Sequence, residues 1–329
     1  MGQPIGEGLV KSMYTCVSCG ICDELCYIHP GKVTEIIREM RKEIAGQGLG
    51  PPPACQQVDR NLALRRNPFG SPSKNRAKWA QGLDLRERGD TLYFAGCYTS
   101  WRHPQIGRSV AGILQTAGLR PAYLGEKEWC CGLHAYWDGQ EDVALELARH
   151  NVEAVKASGA ERVVFSCAEC YRTFKRDYPK LLGEELPFQT LHLAELLAQL
   201  VADGAITLRK PVEQKVTYHD PCQLGRSLGV YEEPRQLLRA IPGVEVAEME
   251  RHGRFSWCCG DGCQVVSTAY PEFANWTARE RLMEAREAAQ VLVTACPHCY
   301  ENLSLVSRKE RAGVEVVDLA VMVARSLAP

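Results

Sequence analysis

The chain has 329 residues, enough for two or three domains with buried cores, and 39 basic side chains balance 40 acidic ones to a net charge of −1. That balance excludes a general nucleic-acid binder, whose footprint would be basic. Apolar content of 45% and charged content of 24% belong to a folded globular protein, and no apolar run approaches the roughly 20 residues of a membrane span. The opening MGQPIGEGLVKSMYTC lacks the hydrophobic stretch of a secretory leader, so the expected compartment is the cytoplasm.

Sixteen cysteines are out of line with this profile. Disulfide scaffolds belong mostly to small secreted chains, and scattered buried thiols would show no spacing pattern. The spacing here is strongly patterned, which points to metal clusters.

The first group is CVSCGICDELC, with Cys16, Cys19, Cys22 and Cys26. C-x2-C-x2-C-x3-C is the bacterial ferredoxin run, in which three thiolates hold one cubane [4Fe–4S] cluster and the fourth normally serves a second cluster. No second run exists, and Tyr27 stands where proline usually follows. Cys16, Cys19 and Cys22 are therefore expected ligands. The fourth ligand is open between Cys26, Cys55 and a partner residue, with Cys26 favoured. VTEIIREMRKEIA (33–45) has helical spacing, and no β signal surrounds these cysteines. Residues 60–78 hold Arg60, Arg65, Arg66, Lys74, Arg76 and Lys78 without an acidic residue. They read as a solvated linker or a contact for an acidic electron-transfer partner. NPFG (67–70) marks a turn.

Five cysteines then occur twice. Cys97, the pair Cys130 and Cys131, and Cys167 with Cys170 are followed by Cys222, the pair Cys258 and Cys259, and Cys296 with Cys299. Trp129 and Trp257 precede the double cysteines, Gly132 and Gly260 follow them, and Tyr171 and Tyr300 follow each closing CxxC. A repeat of about 125 residues reads as domain duplication. The runs 91–97, 161–167, 215–222 and 290–296 are short, apolar and β-prone, each ending on a cysteine. The stretches 106–118, 141–157 and 272–289 carry helical periodicity. Strand alternating with helix predicts an α/β fold with a mainly parallel sheet in each unit, and ligands beyond the carboxyl ends of the strands. A lone zinc or a cubane cluster takes four ligands, so five thiolates suggest an open multi-iron cluster. Paired structural zinc sites are the competing inorganic reading.

The units resemble the CCG cysteine-rich domains of the heterodisulfide reductase superfamily, whose pattern is C, then CCG, then CxxC. YHDPCQLGR (218–226), the two WCCG segments and CPHC (296–299) carry the resemblance, which covers roughly residues 60 to 329. It implies two non-cubane [4Fe–4S] clusters, one on Cys97, Cys130, Cys131, Cys167 and Cys170, the other on Cys222, Cys258, Cys259, Cys296 and Cys299. A disulfide substrate would bind between them. Gln223 stands where the family usually has a second histidine, and CCGDGC supplies Cys263 where a Gly-rich run is usual. The N-terminal segment resembles the helical ferredoxin domain of the superfamily's C and D subunits with one motif present. The expected division is 1–59 helical ferredoxin-like, 60–88 linker, 89–210 first CCG domain and 211–329 second.

There is no G-x-G-x-x-G fingerprint after a strand and no Walker loop, so electrons are expected to enter and leave singly through clusters. His219, beside Cys222, is a candidate proton donor to a departing thiolate, or a structural histidine bonded to a cluster sulfur. The functional expectation is an iron–sulfur oxidoreductase subunit acting on a disulfide/dithiol couple. The alternative is a wiring subunit without its own small substrate, as in lactate or glycolate oxidation. Either needs a redox partner: a flavoprotein, a ferredoxin-like protein, a hydrogenase, or a membrane cytochrome subunit that would supply any membrane association.

Overall fold

The structure is a computed structural model describing residues 5–28 and 31–327. As the pattern predicts, the N-terminal part is helical: α1 (Glu7–Thr15), α2 (Ile21–Leu25), α3 (Val33–Gly46) and α4 (Pro53–Arg65). α3 buries Thr34, Arg41 and Ile44 along one stripe. Arg41 is the anchor. Its guanidinium donates to the carbonyls of Met13, Cys16 and Trp137, so it closes the carboxyl end of α1 and ties it to the next domain.

The expected boundary at 59/60 is displaced, because α4 runs through it without a break. The true punctuation is Asn67, whose side chain donates to the carbonyls of Arg65 and Ser71 and accepts from the amides of Phe69 and Ser71. A 3-10 segment, Ser73–Ala80, comes next and buries Arg76 and Trp79. The solvated-linker reading therefore fails at Arg76.

The first unit contains β1 (Thr91–Phe94), α5 (Gly96–Trp101), α6 (Pro104–Thr116), α7 (Leu133–Asp138), α8 (Glu141–Ser158), β2 (Arg162–Phe165), α9 (Ala168–Arg172), α10 (Tyr178–Leu182), β3 (Gln189–His192) and α11 (Leu193–Ala202). The second contains β4 (Gln214–His219), α12 (Gly225–Leu228), α13 (Glu232–Ala240), β5 (Val244–Val246), α14 (Val265–Ala269), α15 (Pro271–Ala288), β6 (Val291–Thr294), α16 (Pro297–Glu310), β7 (Glu315–Asp318) and α17 (Leu319–Ser326).

The sheet orders are β1-β2-β3 and β5-β4-β6-β7, and every ladder is parallel. Ala122 bridges Leu92 in parallel, in the place that β5 fills beside β4. Duplication is thus visible in the topology. All four residues of β1 and of β6 are buried, as strands covered by helices on both faces require. β1, β2, β4 and β6 each stop two or three residues short of their cysteine. Gly96, with φ +76, makes one such turn, and a side chain there would meet the Cys170 sulfur at 3.0 Å.

β3 and β7 each feed a capped helix. His192 Nδ1 accepts from the Ala194 amide with Glu195 reaching back to the His192 amide, and Asp318 accepts from the Ala320 amide. The two units are crossed: α17 packs on α6, and α11 packs on α13. Each unit's last helix therefore covers a helix of the other.

The paired cysteine sites

All sixteen cysteines lie in the described residues and none forms a disulfide. The first set converges because α5, α7 and α9 all begin beside the carboxyl edge of the β1–β2 ladder. Cys131 and Cys170 sulfurs lie 3.5 Å apart. Neighbouring S–H groups, Cys130 first and then Cys170, lower Cys131 to about 5, while hydrogen bonding to Cys131 pushes Cys130 up. Burial raises Cys97 well above the ordinary thiol value.

The second set repeats this. Hydrogen bonds from Cys258 and Cys299 hold Cys259 well below the usual range; its partner Cys299 is pushed up by that interaction, and Cys258 is pushed up first by Cys19 and then by Cys222 and Cys259. Cys296 is also lowered, against the opposing effect of burial, by hydrogen bonds from Cys167 and Cys299. Cys167 belongs to the first set and Cys296 to the second, so the two sets meet at this pair. Crowded thiols sharing a few negative charges in a buried space are costly unless cations compensate them. Soft thiolates, closely packed and unoxidised, fit iron–sulfur ligation.

The N-terminal run sits over the second set. Ser18 (φ +50) and Gly20 (φ +75) curl the Cys16–Gly20 loop back on itself. Burial first, then the Asp23 charge, then charges on Cys16 and Cys19 raise Cys22 to about 11. Cys19 is held near 6, chiefly by a hydrogen bond from Cys258. Cys26 is the C-cap of α2, its amide bonded to the Cys22 carbonyl. Cys55 points elsewhere: its thiol lies 3.6 Å from the Val265 carbonyl.

Gln223 and Cys263, the two departures from the usual pattern, touch. Gln223 Nε2 donates to Cys263 Sγ at 3.4 Å and to the Ser18 carbonyl at 3.2 Å. Cys263 is buried beside Cys222, Cys258 and Cys296. Arg226 donates to the Cys19 and Ser256 carbonyls at 2.7 Å, so it clamps the N-terminal loop onto the second unit.

His219 is fully buried, and burial lowers its affinity for a proton. Arg281 Nε donates to its Nδ1 at 3.1 Å, which puts the ring proton on Nε2, and the ring lies within 4.8 Å of the Cys259 and Cys299 sulfurs. Asp220 is fixed by a two-pronged contact from Arg235 at 2.6 and 2.9 Å.

Several contributors carry no spacing signal. Arg76 Nη2 donates to Cys97 Sγ at 3.2 Å while pairing with Glu128, which also accepts from the Ala95 and Gly96 amides. Between the two sets, His298 Nδ1 lies 3.0 Å from Glu169 and 3.2 Å from Asp261, and its ring stacks on Tyr98 at 3.9 Å. Burial, with the nearby Asp261 charge, raises Glu169 well above the usual carboxylate range. Glu169 and His298 are the same position of the two CxxC segments. Asn151 and Asn302 donate to the Cys130 and Cys259 carbonyls. These two were readable in principle, as polar residues on the apolar face of a helix. Trp129 stacks on His150 at 3.5 Å, and the Arg66 guanidinium lies over its ring at 4.5 Å.

Two five-thiol sets on the ligand edges of duplicated parallel sheets, joined to a helical cysteine segment, define an iron–sulfur oxidoreductase class. The chain belongs to the CCG cysteine-rich domain family, of heterodisulfide reductase type, matched over residues 91–175 and 216–304. It is 37% identical over 326 residues to the D subunit of dihydromethanophenazine:CoB–CoM heterodisulfide reductase from Methanosarcina barkeri, covering 98% of this chain and 79% of that one. It is 30% identical to the B subunit of fumarate reductase (CoM/CoB) from Methanothermobacter marburgensis, over 95% of this chain and 62% of that one. A crystal structure of a hypothetical protein from Helicobacter pylori shares the fold, with TM-score 0.63 and 10% identity over 98% of this chain and 64% of that one. Among the described residues no helix is long and apolar enough to cross a membrane.

Proposed function

We propose that the chain is a catalytic subunit of a larger redox complex that exchanges electrons with a disulfide/dithiol couple at paired non-cubane [4Fe–4S] clusters. One cluster would be held by Cys97, Cys130, Cys131, Cys167 and Cys170, the other by Cys222, Cys258, Cys259, Cys296 and Cys299. The observation that carries this reading is the meeting of the two CxxC segments, where Glu169 lies 3.0 Å from His298 and Cys167 acts on Cys296, which joins two otherwise separate five-thiol sets. Homolytic cleavage of a disulfide, with each sulfur taken up at its own cluster, requires two sets this close together. Clusters there would supply the electrons. The chain's own groups then position them: Arg76 on the Cys97 sulfur, and His219 Nε2–H toward Cys259, where it holds a proton next to a developing thiolate.

Cys16, Cys19 and Cys22, with Cys26 as fourth ligand, would hold a cubane cluster. Its neighbourhood to the second set through Cys19 and Cys258 supports electron entry from a partner subunit at this end. The heterodisulfide reductase D subunits, similar over nearly the whole chain, support assembly in a complex.

A second reading, a wiring subunit without a small substrate, is favoured by one observation. Val17, Ser18, Gln223 and Cys263 close over the second set, which restricts access for a disulfide. Anaerobic purification should yield about twelve irons and as many labile sulfides per chain. Zinc without sulfide would reject both readings. Electron paramagnetic resonance of the oxidised protein should gain a new signal with a matching thiol. Its absence across thiols of differing charge and length, with clusters intact, would leave the wiring reading.

A further inference from the structure

α4 and α7 face each other, and each presents two metal-ligating side chains one turn apart: Cys55 and Asp59 on α4, His134 and Asp138 on α7. The ligand atoms of Cys55, His134 and Asp138 lie within 4.8 Å of one another. His134 Nε2 is 3.1 Å from Asp138 Oδ2 and 3.8 Å from Asp59 Oδ1. Exposure is 0% for Cys55 and Asp138, 2% for His134 and 8% for Asp59.

The group is also unsatisfied. Apart from the 3.1 Å contact of His134 Nε2 with Asp138 Oδ2, these two atoms, His134 Nδ1 and both Asp59 carboxylate oxygens have no hydrogen-bond partner. So many orphaned atoms in one sealed place would cost several kcal/mol if nothing filled it.

We propose that Cys55, Asp59, His134 and Asp138 form a mononuclear site for a divalent transition metal, with Zn²⁺ the best match. One sulfur, one imidazole and two carboxylates are ligands zinc accepts, and separations near 3–4 Å suit neighbouring ligands about 2.0–2.3 Å from a shared ion. Charge closes as well. A thiolate and two carboxylates face a dication plus the Arg41 guanidinium, whose charge acts on Cys55. Pairs of side chains on facing helices are a recurrent way to build such sites. The second unit offers no copy, because Gly262 and Val266 hold the positions of His134 and Asp138 after its double cysteine. The ion joins the N-terminal helices to the first unit only. This assigns Cys55 away from the cubane cluster and does not depend on what reaction the clusters perform.

The test uses the anaerobically purified full chain. Metal content measured beside labile sulfide should show about one zinc beyond the cluster iron, and zinc X-ray absorption should show one sulfur with three lighter neighbours. Asp59→Asn combined with Asp138→Asn should lower zinc at least tenfold with iron and sulfide unchanged. After chelation, Zn²⁺ alone should rebind to the native chain and not to that variant. The proposal is overturned by zinc retained in the double variant or by a four-sulfur zinc shell. It is equally overturned by native protein that neither contains nor takes up the ion, or by loss of cluster iron in Cys55→Ser. The absorption spectrum of the native chain decides the matter even where a variant fails to fold.

Discussion

Four buried arginines do the local positioning, and each is aimed at a cysteine or at its neighbour. Arg41 holds the Cys16 carbonyl, Arg76 the Cys97 sulfur, Arg235 the carboxylate of Asp220, and Arg281 the ring of His219. Arginine suits this because its planar fork stays charged and bonds several acceptors at once. Replacing Arg41 with Met should leave the carbonyls of Met13, Cys16 and Trp137 unpaired and cost roughly 3–5 kcal/mol. Denaturant melts should show that loss, and cluster analysis should show iron lost chiefly from the N-terminal run. His219→Gln keeps a donor but not the ring. It should slow disulfide turnover while iron content stays constant, and unchanged turnover would remove the proton role. The cysteines were legible at this scale because their spacing is covalent information. Arg76 was not, since it reaches its site only through tertiary folding and sits in a run of basic residues in the sequence; Glu169 and Asp261 stand beside cysteines, but no spacing says that both meet His298 between the two sets.

At the scale of elements, the long helices and the four strands leading to cysteines come directly from apolar periodicity. β3, β5 and β7 escape it. Gln189–His192 and Glu315–Asp318 are four-residue edge strands with polar members, too short to show a period. Both lead straight into a capped helix, and that junction gives them their place in the fold. His192 caps α11 through an unprotonated Nδ1, and burial lowers its pKa from 6.5 to about 4. In the unfolded chain the ring takes up a proton below about pH 6.5, and in the folded chain only near 4. Stability is therefore complete above 6.5 and lost progressively as pH falls toward 4, by roughly 3 kcal/mol at the limit. His192→Asn, an untitratable cap, should flatten that part of a pH series of anaerobic urea melts.

For the whole molecule, the crossed packing of α17 on α6 and of α11 on α13 makes the halves mutually dependent. Met322, fully buried in α17, tests this. Met322→Ala should cost about 2–5 kcal/mol and lower a single cooperative transition, not split it. Two separable transitions would show that the units fold alone. The repeat predicted two like units, but nothing in the spacing of cysteines says that the units exchange helices. That information lies in side-chain shape across the interface.

The same crossing has a historical consequence. A chain with one such unit would leave the faces under α6 and α11 bare, and a second copy related by a two-fold axis would cover both at once. Such a pair would carry identical CxxC segments facing each other, glutamate against glutamate or histidine against histidine. Joining the copies in one chain frees the two positions to differ, and here they do, with Glu169 meeting His298 at 3.0 Å. An acid can then lie against a base between the two cysteine sets, an arrangement that a symmetric pair cannot make.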